Sequence, residues 1–284
     1  MSPGAALATM VTIPGGVFHL GSDDHYPEER PVRAVEVPGF AIDIGPVTNA
    51  AFARFVAETG WVTTAERLDP PGSAVFAMTA GAVDLGRPDQ WWRFVDGAAW
   101  HCPQGPGSSI AGREDHPVVH VSAEDARAYC AWAGKRLPNA REWEVAARGG
   151  LDRAVYGWGD SLAPGGRLMA NIWRGAFPWW SEVPEPGTTP VGTYPANGYG
   201  LLDMIGNVWE WTSEPFDQTS ACGCSEGAAG AVRQTLKGGS YLCAAEYCAR
   251  YRPAARTGLP PETSTGHIGF RCAVDLTSSL DEAP

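Results

Sequence analysis

Apolar side chains recur at helical spacing in three stretches of this chain, each with start and stop signals of its own. The first opens at Thr48–Asn49, carries Phe52, Phe55 and Val56 on one face and stops at Gly60. The second opens with Ser122 and Asp125 in a capping-box arrangement and runs through Ala126, Tyr129 and Trp132 to Gly134. The third has Asn139 as its cap with Glu142 three residues on, then Trp143, Ala146 and Ala147, and ends at Gly149–Gly150. Short strand-like runs punctuated by turn residues precede the helices, in "PGGVFHLGS" and "RAVEVPGFAIDIGPVTN".

After Gly150 the helical period disappears. Gly, Pro and aromatic residues dominate as far as Asp275, with strand-like "TLKGGSYL" and "HIGFRCAV". No internal repeat or linker divides the chain. The pattern predicts one mixed α+β domain over residues 10–276, loop-rich and low in regular secondary structure, with flexible ends at 1–9 and 277–284.

Composition agrees with that picture. Gly 35 and Pro 24 make about a fifth of the 284 residues, charged residues are only 19 %, and there are 12 tryptophans. This suits a compact fold with an aromatic core, and core packing is the expectation for most of the tryptophans. The net charge of −11 argues against a general nucleic-acid binder, which needs clustered Lys and Arg to neutralise phosphates. No apolar run reaches membrane-spanning length. The start, "MSPGAALATMVTIPGG", has neither a basic region nor a long apolar segment, so no signal peptide is expected and the expected location is cytoplasmic. In that compartment seven cysteines are not expected to form a disulfide framework.

Cys243 and Cys248, in "LCAAEYCARYR", raise the chemical question. Five residues along an α-helix leave side chains about 140° apart, and along a strand they fall on opposite faces. If both thiols meet, the segment is an irregular turn. The spacing is neither a paired zinc knuckle nor a thioredoxin-like CxxC. Arg250, Arg252 and Arg256 nearby favour the thiolate form. A structural disulfide, inert thiols, a reactive pair and a soft-metal site for Cu(I) all remain open on these grounds.

The wider setting narrows them. "GGSYLCAAEYCARYRPAAR" followed by "STGHIGFRCA" resembles the active-site region of the formylglycine-generating enzymes, the sulfatase-modifying factors. The resemblance extends over nearly the whole chain, through "IPGGVFHLGS", "PVTNAAFARFV", "HPVVHVSAEDARAYCAWAGKRLPNAREWEVAARGG", "ANIWRGAFP" and "NGYGLLDMIGNVWEWTSE". It implies a variant C-type-lectin-like fold. It also implies an oxidase that uses O2 to convert a cysteine, in a Cys-x-Pro-x-Arg segment of an unfolded or nascent sulfatase, to Cα-formylglycine. Hydrogen is lost from the substrate Cβ, and water turns the resulting thioaldehyde into the aldehyde. A monomer is the simplest expectation.

Residue by residue, the resemblance implies that Cys243 and Cys248 are Cu(I) ligands, and that Ser240 and Tyr247 are polar residues of the pocket. Trp209 falls on a pocket-wall tryptophan and Arg250 on an arginine beside the second cysteine, while His267 stands where asparagine is frequent. Asp203, Gly206, Val208 and Glu210 match a Ca²⁺ site of two side-chain and two backbone oxygens, a hard-oxygen set that suits this ion. Asn171 and Ile172 match the start of a second Ca²⁺ site. There the chain departs from the family: the Asp-Gly element is missing, and the shorter "WWSEVPEPG" offers Glu182 and Glu185 instead. Cys130 and Cys272 match positions the family can join as a disulfide, worth ~4–5 kcal/mol in the chain-entropy model; in a reducing compartment buried thiols are expected. Cys222 and Cys224 have no assigned role.

Two other functions share these motifs. A non-catalytic lectin-like module binding peptide or glycan needs no pair of thiols. A sulfoxide synthase needs a His-rich iron site, and His19, His25, His101, His116 and His120 show no ligand spacing. A substrate segment carrying an arginine also calls for an acidic or polar groove, whose carboxylates the sequence does not single out.

Overall fold

The computed structural model describes residues 9–216 and 232–276. Cys222, Cys224, residues 1–8 of the N-terminal segment and the tail 277–284 lie outside the described residues.

The three anticipated helices form where their caps stand. Helix α1 spans Asn49–Thr59, with the Thr48 hydroxyl accepting from Ala51 N–H and the chain leaving at Gly60. A short α2, Thr64–Arg67, was not anticipated, although "TTAE" is a capping box: Glu66 accepts from the Thr63 N–H. Helix α3 spans Ala123–Trp132 behind the Ser122–Asp125 box, and α4 spans Ala140–Arg148 behind the Asn139–Glu142 box. Asp125 does more than cap, since it also takes the Thr64 N–H at 3.0 Å and the Trp61 indole N–H at 3.0 Å. It thereby ties α2 to α3.

Short strands surround these helices. β1 (Met10–Ile13), β4 (Phe40–Asp43) and β11 (Ala273–Asp275) form an antiparallel sheet that joins the two ends of the domain. β2 (Gly16–Leu20) pairs with β3 (Arg33–Val37), and β5 (Gly72–Phe76) with β6 (Trp92–Asp96). The largest sheet has the order β10-β7-β8-β9, built from Ile268–Gly269, Trp209–Pro215, Gln234–Lys237 and Arg256–Leu259. The expected strand "TLKGGSYL" therefore ends at Lys237. Gly238 and Gly239, at φ 98° and 73°, turn the chain in a region few other residues enter, and this turn delivers Ser240.

Aromatic rings fill the interior. Phe52 on α1 packs edge-on against Trp100 at 5.3 Å, and Phe55 against Tyr129 of α3 at 5.5 Å. Trp91, Trp143 and Trp211 are fully buried, as expected, whereas Trp179 and Trp180 are exposed. A buried polar network pins β7 to the chain before β11. Arg271 reaches Glu210 through Nε at 2.7 Å and Nη2 at 2.8 Å, and the Trp143 indole N–H donates to the same carboxylate at 2.7 Å. Among the described residues, no helix is long and apolar enough to cross a membrane.

Candidate active site: a buried thiol pair

The glycine turn after β8 makes Ser240 the start of a tight loop. Cys243 N–H donates to Ser240 O at 2.9 Å, and Ser240 N–H points back at Cys243 Sγ at 3.4 Å. A single helix-like turn follows, closed by Cys248 N–H to Ala244 O at 2.8 Å. This irregular path brings Cys243 Sγ and Cys248 Sγ to 3.2 Å as free thiols, Cys243 buried and Cys248 half-buried. Neither a helix nor a strand would have done so.

The two sulfurs are not equivalent. Burial pushes the Cys243 thiol well up, and the neighbouring sulfur adds to this. Cys248 falls to about 7: the hydrogen bond from Cys243 leads, burial opposes it, and the Arg250 charge adds to the fall. The pair is thus poised to hold one proton, with Cys243 donating and Cys248 as the thiolate. Of the three arginines expected to act here, Arg250 does so. Arg252 is spent on Glu29 in a buried two-pronged pair at 2.6 and 2.7 Å. The Arg256 Nε–H is taken by Glu28 O at 2.7 Å.

Arg250 is itself held from far along the chain. Its guanidinium lies over the Tyr26 ring at 3.9 Å and pairs with Glu28 at 2.7 Å, while Tyr26 hydroxyl accepts from Ala249 N–H at 3.2 Å. This brace from "YPEE" was missed by the sequence reading. Its signal was charge complementarity, two adjacent glutamates after a tyrosine facing "RYRPAAR", and nothing in periodicity marks such a contact.

The thiols open into a cavity of about 360 Å3. Ser240, Trp209, Tyr247, Arg250 and His267 all line it with Cys243 and Cys248, so the structure brings every anticipated pocket residue together. Trp91, Trp92 and Phe177 also line it and were not anticipated. Tyr247 stacks on Phe177 at 4.6 Å and meets Trp91 edge-on at 5.3 Å, which fixes the turn between the cysteines. His267 accepts from or donates to Thr265 Oγ1 at 2.6 Å and lies 4.7 Å from the Trp92 ring. Burial lowers it to about 3, so it is neutral. Among the described residues that line this cavity, Arg250 is the one charged side chain; the carboxylates of an acidic groove are absent from its wall, with Glu246 and Glu262 exposed beside it.

The oxygen sites are less uniform. Asp203, at φ 50° and buried, accepts from Gly192 N–H at 2.7 Å through Oδ2, while its Oδ1 is buried without a partner. Burial raises this carboxyl to about 6. An orphaned carboxylate oxygen of this kind fits a cation. Glu210, expected beside it as a ligand, turns both oxygens to Arg271 and Trp143. Ile172 is buried, and Asn171 spends its amide N–H groups on Gly187 O and Asn207 Oδ1. Glu182 and Glu185 are exposed, and Glu182 pairs with Arg174 at 3.2 Å. Cys130 and Cys272 are buried thiols with their sulfurs 3.3 Å apart. Among the described residues no three His, Cys, Asp or Glu side chains gather around a common point.

Residues 2–276 match the family described as sulfatase-modifying factor enzyme 1-like domain. The chain belongs to this family. It is 52% identical to the formylglycine-generating enzyme of Mycobacterium tuberculosis, over 96% of this chain and 99% of that protein. It is also 42% identical to the inactive C-alpha-formylglycine-generating enzyme 2 of Bos taurus, over 93% of this chain and 87% of that one. Among solved structures it resembles PvdO from Pseudomonas aeruginosa, with a TM-score of 0.60 at 24% identity and 94% of both chains covered. That likeness concerns the fold, an α+β single domain rich in loops. Membership of the sulfatase-modifying factor family includes proteins named inactive, so activity has to be argued from the thiol pair.

Proposed function

We propose that this chain converts a cysteine in a Cys-x-Pro-x-Arg segment of a sulfatase polypeptide to Cα-formylglycine, with O2 as electron acceptor and Cu(I) held by Cys243 and Cys248. The observation that carries the reading is the contact of two free thiols at 3.2 Å on the wall of a 360 Å3 cavity. Two adjacent thiol sulfurs are a soft donor set that suits Cu(I), and that ion, when bound, would supply a soft centre at which a third thiolate and O2 exchange electrons. Cys248 is readied for it as the thiolate by Arg250 and Cys243.

The chain's own residues hold and shield the substrate. Trp91, Phe177 and Trp209 present apolar faces that exclude bulk water from the reacting side chain. Ser240, Tyr247 and neutral His267 offer hydrogen bonds that orient the peptide without adding charge. The substrate cysteine loses its S–H and one Cβ–H as two protons and two electrons, which O2 accepts. Water then replaces sulfur at the carbon, and the sulfur leaves as sulfide.

Ca²⁺ is proposed at Asp203 with the main-chain oxygens of Gly206 and Val208 and a remaining lone pair of Glu210; the unpartnered Asp203 Oδ1 supports it. The alternative, a non-catalytic peptide- or glycan-binding module, is favoured by the inactive relative at 42% identity, but such a module has no use for two touching thiols. The test is direct. Cu(I)-loaded protein is incubated in air with a peptide containing Cys-Thr-Pro-Ser-Arg, and the cysteine is followed by mass spectrometry. Copper- and O2-dependent gain of an aldehyde-reactive product supports the oxidase, whereas no conversion, with Cys243→Ser behaving as wild type, leaves the binding module.

A further inference from the structure

Strand β9 is the edge of the largest sheet. It pairs with β8 from Arg256–Lys237 to Leu259–Gln234, and among the described residues no strand lies on its other side. In an antiparallel strand alternate residues turn N–H and C=O towards the partner, and the residues between turn theirs away. Outside the β8 ladder, the Arg233 guanidinium reaches Gly258 O; among the described residues the main chain of Arg256–Leu259 makes no other hydrogen bond. An edge of this kind is a template for a further strand.

This edge borders the thiols. Thr257 and Leu259 lie two residues apart, hence on one face, and both line the 360 Å3 cavity with Cys243 and Cys248. Gly258 between them faces the other way, where a Cβ would run into the Phe216 side chain. A polypeptide laid along β9 turns every second side chain to the cavity face. Main-chain bonds then supply affinity and the alternate side chains specificity.

The segment Cys-x-Pro-x-Arg has the matching period. Its specified residues stand first, third and fifth, the alternation of a strand read on one face. The main-chain groups of its second and fourth residues point to one edge, and those of the other three to the opposite edge. Proline has no N–H to give, so it fits an added strand only on the outward side, which assigns the second and fourth residues to β9. The residue before proline is already confined to the extended region.

We propose that the sulfatase segment docks by strand addition at the free edge of β9. Its second and fourth residues bond to the β9 main chain, and its cysteine, proline and arginine turn to the face of the thiol pocket. The identity of the segment rests on the function proposed above; the free edge beside the thiols does not.

The test reads place and pattern separately. A peptide of about eleven residues around Ser-Thr-Pro-Ser-Arg, with serine for the reactive cysteine, is added to the protein to saturation. Hydrogen exchange is followed by NMR. Two alternate amides of β9, either Arg256 and Gly258 or Thr257 and Leu259, should slow by about tenfold, while those of β1 and β4 stay unchanged. N-methylation of the second or the fourth peptide residue removes a ladder donor and should weaken binding about tenfold. N-methylation of the arginine, whose N–H faces outward, should change it by less than about twofold. Equal losses at the fourth and fifth residues, unchanged exchange throughout β9, or no binding up to about 1 mM peptide overturns the proposal. Cysteine peptides run in parallel separate the two readings. Conversion without protection of β9 keeps the oxidase and sinks strand addition, and protection without conversion does the reverse.

Discussion

Replacing Glu210 by Gln tests whether this carboxylate is the keystone of the fold or chiefly a metal ligand. Glu210 and Arg271 have side chains at 0% exposure and meet through two hydrogen bonds of 2.7 and 2.8 Å. The Trp143 indole adds a third donor at 2.7 Å. Gln keeps the shape but turns one oxygen into an NH2, which then faces a guanidinium or an indole N–H, donor against donor. It also leaves the Arg271 charge uncompensated in the interior. Removing one partner of a buried pair costs about 3–5 kcal/mol, which for a chain of this size lowers Tm by roughly 6–20 °C. Urea and thermal unfolding of wild type and Glu210→Gln would be measured in EDTA and again with millimolar Ca²⁺. The loss should be present in EDTA at full size. Replacing both partners with apolar residues, Glu210→Leu with Arg271→Met, should recover much of it. A Glu210→Gln protein within about 1 kcal/mol of wild type in EDTA, with a deficit appearing only on adding Ca²⁺, would falsify the keystone assignment.

Other expectations follow from the same geometry. Cys243→Ser and Cys248→Ser should each abolish tight Cu(I) binding and turnover while leaving Tm nearly unchanged; full turnover in both would remove the copper assignment. Arg250→Met should raise the Cys248 thiol above its present value of about 7, seen as slower alkylation of the metal-free protein at neutral pH; an unchanged pH profile of alkylation counts against the electrostatic role. His120 is buried, and its pKa is lowered from 6.5 to about 4 by burial. The unfolded chain therefore binds a proton that the folded one refuses. The corresponding stability is complete above pH 6.5 and is lost as pH falls towards 4, by about 3 kcal/mol. Urea midpoints between those pH values should fall less steeply in His120→Gln than in wild type, and equal slopes would refute the claim.

Local rules made the helices legible before the structure. Thr48, Ser122 and Asn139 are each a cap whose side chain accepts a backbone N–H, a contact spanning two or three residues. The cysteine segment was half legible: spacing required an irregular turn if the sulfurs met, and resemblance, not spacing, named the residues around it. What stayed hidden is long-range. Trp91, Trp92 and Phe177 reach the thiol pocket from loops without a period, where tryptophan reads equally well as core. The family match could not foresee that Glu210 faces Arg271, because the same carboxylate serves either role until its neighbours are known. "TLKGGSYL" misled by composition alone, its β-like letters being overruled by two left-handed glycines.

The brace between Glu28 and Arg250 joins residues 222 positions apart. A ribosome working at 5–20 residues per second releases the first roughly 10–45 s before the second. The glutamates and Tyr26 are therefore made long before the arginines and thiols they will hold. The thiol site is among the last parts of the domain to mature, and any ligand its two sulfurs share is acquired after translation, not during it. A fragment ending before Arg250 could fold its helices and still have no site to load.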